Sequence, residues 1–137
     1  MSEPWKCPRC RRSFRQANQR HSCGTGDRAA LLQNKSPEIV ALYRALEKVV
    51  ATLPGVEIVT KDRYALFRTT RIFADVVFMK DCLRLAIHLG RAVTDPAFLK
   101  VARGDRHVSH VVMLRRDADV RAMAPYLAEA HGFSLRD

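Results

Sequence analysis

Cys7-Pro8-Arg9-Cys10 and His21-Ser22-Cys23 place four soft or borderline donors within one short stretch, spaced C-x2-C-x10-H-x-C. Zinc takes four such donors in a tetrahedron. A C-x2-C turn folds back on itself and can aim both sulfurs at one ion. On extended backbone, side chains two residues apart leave on the same side, so an H-x-C pair can complete the chelate. Cys7, Cys10, His21 and Cys23 would then fill every coordination position. With none left for water, the expected ion is structural, one Zn(2+) per chain. Free thiols with a surface histidine, a disulfide or an iron–sulfur centre are the alternatives. Residues 1–28 carry no large aliphatic side chain apart from Met1. Structural zinc binds with on the order of 10–16 kcal/mol, which such a coreless segment needs in order to fold. Trp5 and Phe14 flank the C-x2-C turn and would meet across a small hairpin.

The other chemistry is cationic. The chain holds 24 Lys and Arg against 14 Asp and Glu, a formal charge of +10. Eight of those cations and only two of the acids lie in residues 1–35, so that segment carries +6. Arg9, Arg11, Arg12, Arg15 and Arg20 stand beside Trp5 and Phe14, while Arg68 and Arg71 interleave with Tyr64, Phe67 and Phe73. Arginine grips phosphate through a planar fork, and aromatic faces stack on bases. The partners this predicts are nucleic acid or an acidic protein; a solvated basic surface with the aromatics in the core is the alternative. Tyr64, Arg71 and His110 form a candidate ligand pocket, against a buried and satisfied His110. His88, His107 and His131 read as surface, and Asp75, Asp81, Asp105, Asp117 and Asp119 as scattered. There is no Gly-rich phosphate loop, nucleophile elbow or H-E-x-x-H helix, and no residue is assigned a catalytic role. The chain reads as a binding or adaptor protein rather than an enzyme. The competing reading is a protein- or small-ligand-binding module that uses a sheet face. A metal-delivery role would require a second, exchangeable site.

The elements that must position these groups follow from the hydrophobic pattern. At 137 residues and 47% apolar, the chain has room for one ordinary domain with a small appendage. The expected division is a zinc-ribbon-like head over 1–28 and a small α+β domain over 29–137. Ser36-Pro37-Glu38 reads as N-cap, first-turn proline and first-turn acid. Ile39, Leu42, Tyr43, Leu46, Val49, Val50 and Leu53 then recur at helical spacing, and Pro54-Gly55 stops the helix. Strands are expected at 56–60, 64–68, 72–79, 82–89 and 107–114, with a two-residue turn at Lys80-Asp81. Ile72, Ala74, Val76 and Phe78 should share one face of the third. Cys82 reads as filler in a strand. Residues 90–104 show weak periodicity. A last helix, capped by Asp117 or Asp119, would bury Val120, Met123, Leu127 and Ala130, with Pro125 kinking it or marking its start. The fold class is therefore α+β: an antiparallel sheet of four to five strands packed by an N-terminal and a C-terminal helix. The longest run free of Asp, Glu, Lys and Arg is eight residues, far short of the roughly 20 a membrane span needs. The opening residues lack the apolar core of a signal peptide, so a cytoplasmic, reducing location is expected.

Trp5-x-Cys7-Pro8-x-Cys10-x-x-x-Phe14 and Asn18-Gln19-x-His21-Ser22-Cys23-Gly24 resemble the amino-terminal signature of an uncharacterised bacterial family, domain of unknown function 5655. Lys35-Ser36-Pro37-Glu38, Phe73-Ala74, Leu83-Arg84-Leu85 and Ser109-His110-Val111-Val112-Met113-Leu114 extend the likeness over nearly the whole chain. Arg11 stands where that family usually has glycine. The resemblance implies a zinc-binding head on a small α+β domain and no assigned reaction. By element order the body also resembles a related α+β group for which iron delivery has been proposed.

Overall fold

The computed structural model describes residues 5–6, 13–14 and 28–136. Two short strands, β1 (Trp5–Lys6) and β2 (Ser13–Phe14), pair antiparallel, Trp5 opposite Phe14 and Lys6 opposite Ser13. This is the pairing expected across the C-x2-C turn. The body follows as α1 (Arg28–Leu32), α2 (Pro37–Ala51), β3 (Glu57–Thr60), β4 (Tyr64–Arg68), β5 (Ile72–Phe78), β6 (Leu83–Leu89), β7 (Phe98–Arg103), β8 (Val108–Leu114) and α3 (Asp117–Ser134). Its six strands form one antiparallel sheet in the order β3-β4-β5-β6-β8-β7.

Local chemistry accounts for most boundaries. The Ser36 hydroxyl accepts the Ile39 N–H at 3.2 Å and caps α2, with Pro37 in the first turn. Ile39, Leu42, Tyr43, Leu46 and Val50 form its buried stripe. Thr52 closes it, and Gly55 takes the left-handed φ of 71° that favours glycine. Met79 N–H donates to Cys82 O at 3.0 Å across the expected Lys80-Asp81 turn. The N-cap of α3 is Arg116, not an aspartate, and the Asp119 carboxylate reaches back to the N–H groups of Arg115 and Arg116 at 2.9 and 3.0 Å. Pro125 neither begins nor ends this helix, which runs on to Ser134.

The sheet has one helix-covered face. Rows of paired residues build it: Phe78, Leu83 and Leu114; Val76, Leu85, Val112 and Phe98; Ala74, Ile87, His110 and Val101. Most of these join α2 and α3 residues in a single core. Two features depart from the expected four or five strands. Residues 98–103 form a sixth, the edge strand β7, whose mostly exposed residues carry little hydrophobic alternation. Between β4 and β5 the register shifts, so Phe67 pairs with Ala74 but Arg68 with Ile72. The extra residue, Phe73, is fully buried, and Ile72 turns outward to 38% exposure. No helix among the described residues is long and apolar enough to cross a membrane.

Leu85, fully buried at the centre of the core, contrasts with Leu99, which is 67% exposed on the edge. Leu85→Ala should cost about 2–5 kcal/mol in urea unfolding, and Leu99→Ala no more than about 0.5 kcal/mol.

Candidate functional site

Tyr64, Arg71 and His110 occupy three separate places. His110 lies on the helix side of β8 and is fully buried, its ring 4.9 Å from Phe98. Its Nδ1–H donates to Val108 O and its Nε2 accepts the Val93 N–H, both at 3.0 Å. The imidazole thereby ties the β6–β7 connection to β8. The same connection is held to α3 by the Tyr126 hydroxyl, which donates to Asp95 at 2.8 Å, and by the Arg91–Glu129 ion pair at 2.9 Å. Tyr64 pairs with Val77 on the opposite face, helix-free among the described residues, and is 39% exposed. Arg71 sits in the turn at the far end of the β4–β5 hairpin. It donates to Phe133 O at 2.6 Å and lies over the Phe133 ring at 4.5 Å.

Arg68 is only 4% exposed. Its Nη2 donates to Ser13 O at 2.6 Å and to Thr70 O at 3.1 Å, and its Nη1 lies 3.7 Å from Glu57. Arg68 and Arg71 thus hold carbonyls of the protein itself. Ser13 belongs to β2, so Arg68 joins the amino-terminal hairpin to the sheet. Cys82 is a free, buried cysteine with Sγ 3.9 Å from Met113 Sδ.

A cluster that spacing did not reveal lies where the C-terminal end of α3 meets the sheet. His88 and Asp75 both face the helix-free side, with Nε2 and Oδ2 3.7 Å apart. His88 Nδ1–H donates to Ile72 O at 3.3 Å, and its ring stacks on His107 at 4.2 Å. The His88 side chain is 16% exposed rather than on open surface. Burial, then the neighbouring His107, push His88 down to about 4. Burial pushes the Asp75 carboxyl up, against the opposing pull of Arg84. His131 is also buried and donates from Nε2 to Pro54 O at 2.7 Å. Ser134 Oγ donates to His131 O at 2.6 Å, so Thr69, 2.7 Å away, donates to Ser134. The hollow bounded by Arg71, Phe73, His88, His107 and Phe133 measures about 10 Å³, room for one water at most. The cluster is therefore an interlock of helix and sheet rather than a substrate pocket. A more open groove of about 300 Å³ lies between the start of α2, the Lys80-Asp81 turn and Arg115. Cross-strand register was the signal for the Asp75–His88 pair: Asp75 pairs with Ala86, two residues from His88.

Cys7, Cys10, His21 and Cys23, with Arg9, Arg11, Arg12, Arg15 and Arg20, lie outside the described residues. Among the described residues, no group of three or more His, Cys, Asp or Glu could hold a metal ion. A family model for a domain of unknown function, DUF5655, matches residues 29–134, which span the body from α1 to α3. No curated protein and no solved structure matches the chain.

Because His88 has a folded value below its ordinary 6.5, the unfolded chain takes up a proton that the folded chain refuses. The stability this contributes is complete above about pH 6.5 and drains as pH falls toward 4. Asp75, raised, acts in the opposite sense. An NMR titration should find the His88 midpoint near 4, and His88→Gln should lose less stability than wild type between pH 6.5 and 4. A midpoint at the ordinary value would contradict the buried stack.

Proposed function

The chain belongs to the DUF5655 family, and from that premise we propose that it is a non-catalytic adaptor whose amino-terminal segment binds one structural zinc and contacts nucleic acid. Cys7, Cys10, His21 and Cys23 are the proposed ligands, three thiolates and an imidazole, a donor set that suits zinc in a tetrahedral, closed site. One observation carries the reading. β1 and β2 pair in the register Trp5–Phe14 and Lys6–Ser13, which brackets the segment running from Cys7 past Cys10. An isolated two-stranded hairpin is at best marginally stable in water. A metal held at its loop would give it the missing energy.

The nucleic-acid part rests on charge. Three thiolates and a neutral imidazole around a dication leave one net negative charge, so the +6 of residues 1–35 is barely reduced. Arg9, Arg11, Arg12, Arg15 and Arg20 are the proposed phosphate contacts, with the half-buried Arg71 a further candidate; Arg68 is buried against backbone carbonyls. Phosphate contacts of this kind position a chain without reading bases, so affinity should depend on salt and little on sequence.

Elemental analysis of freshly purified protein should find one zinc per chain, and Cys10→Ser should lose it. A labelled single-stranded oligonucleotide should bind at low micromolar protein, more weakly as salt rises. Arg12→Glu with Arg15→Glu should weaken every sequence alike and reduce the salt slope by about two. Metal-free protein would remove the first half of the proposal, and salt-independent or absent binding the second.

A further inference from the structure

We infer that Arg68 is a positioning residue for the amino-terminal metal site, and that the sheet and the metal stabilise each other through it. The inference rests on the zinc reading above and adds a named route by which the body takes part. Arg68 lies 55 positions from Ser13 in sequence, yet its Nη2 donates to Ser13 O at 2.6 Å. Ser13 pairs with Lys6, and Lys6 is followed directly by Cys7. One hydrogen bond therefore connects the guanidinium to the hairpin that brackets the proposed ligands.

The guanidinium cannot readily give up this acceptor. It is 4% exposed, at the pair Glu57–Arg68 near the sheet's β3 edge. A buried cation that loses a hydrogen-bond acceptor bears its desolvation cost uncompensated. Thr70 O, at 3.1 Å, accepts from the same Nη2, and Glu57 lies 3.7 Å from Nη1 of the same planar fork. Arg68 is thus pinned from the body side, while Ser13 belongs to a two-stranded hairpin that is marginal by itself. A metal that orders the hairpin keeps Ser13 O where the fork points. Conversely, the pinned fork holds the hairpin ready for the metal. Such coupling is reciprocal by thermodynamic necessity: whatever factor Arg68 contributes to metal affinity, the metal returns as stability of the Arg68 contact.

The test uses the full chain and zinc alone. Zinc affinity is read by competition with a chromophoric chelator for wild type, Arg68→Ala and Arg68→Lys, with Leu85→Ala as a variant that destabilises the core away from the hairpin. Arg68→Ala should weaken zinc binding about five- to hundredfold. Arg68→Lys, which keeps the charge but loses the two-carbonyl fork, should fall between, and Leu85→Ala should bind as wild type does. In wild type, removing the zinc should speed amide hydrogen exchange in β3 and β4 but leave β6 and β8 unchanged. That measurement decides the matter if Arg68→Ala fails to fold. Equal zinc affinity in wild type and folded Arg68 variants, or exchange in β4 that ignores the metal, overturns this inference alone. A wild-type chain that binds no zinc overturns the zinc reading and this inference with it.

Discussion

Side chains leave a strand on alternate faces, and here α2 and α3 cover only one of the two. Every functional assignment in the body depends on that pair of facts. Even-numbered positions of β8 point toward the helices, so His110 enters the core with Val112 and Leu114. Beyond the bulge at Phe73, odd-numbered positions of β5 point away, so Asp75 and Val77 lie on the helix-free side, and His88 on β6 joins them there. Tyr64 and His110 belong to different faces of one sheet. No side-chain rotamer brings them into one pocket without taking the sheet apart.

Two cations of the body, Arg68 and Arg71, act as internal ties. Arg71 secures the last turn of α3 through Phe133 O, where a positive charge also meets the carbonyl end of the helix favourably. Thr69 and Ser134 repeat the connection a few ångströms away with a hydroxyl pair. Arg68 does the equivalent between β4 and the amino-terminal hairpin. Hydrogen bonds from charged donors to carbonyls, stronger than neutral ones, make these ties. The cost falls on Arg68, whose guanidinium is buried and not open to a phosphate.

Legibility in the sequence followed burial contrast. α2 was plain because Ser36, Pro37 and Glu38 announce its start and its apolar stripe repeats at helical spacing. β6 was plain because Leu83, Leu85, Ile87 and Leu89 alternate with Arg84 and His88. β7 left almost no trace, since an edge strand whose residues are mostly exposed has little reason to alternate. The outward turn of Ile72 was equally hidden. A register shift depends on how β5 meets β4, and the pattern along β5 alone does not contain it. His88 and His131 looked like surface residues because a polar residue type by itself carries no mark of burial.

The order of the elements, the capped helix, most strands and the hairpin pairing of Trp5 with Phe14 could be derived from residue types and spacing, because each depends on neighbours close along the chain. The sixth strand, the bulge at Phe73, the stacking of His88 on His107 and the reach of Arg68 to Ser13 emerged only in three dimensions. Each joins groups that the chain separates and that only sheet register and helix docking bring within bonding distance. Local pattern records which residues seek burial or a cap. It does not record which distant carbonyl a buried guanidinium will find.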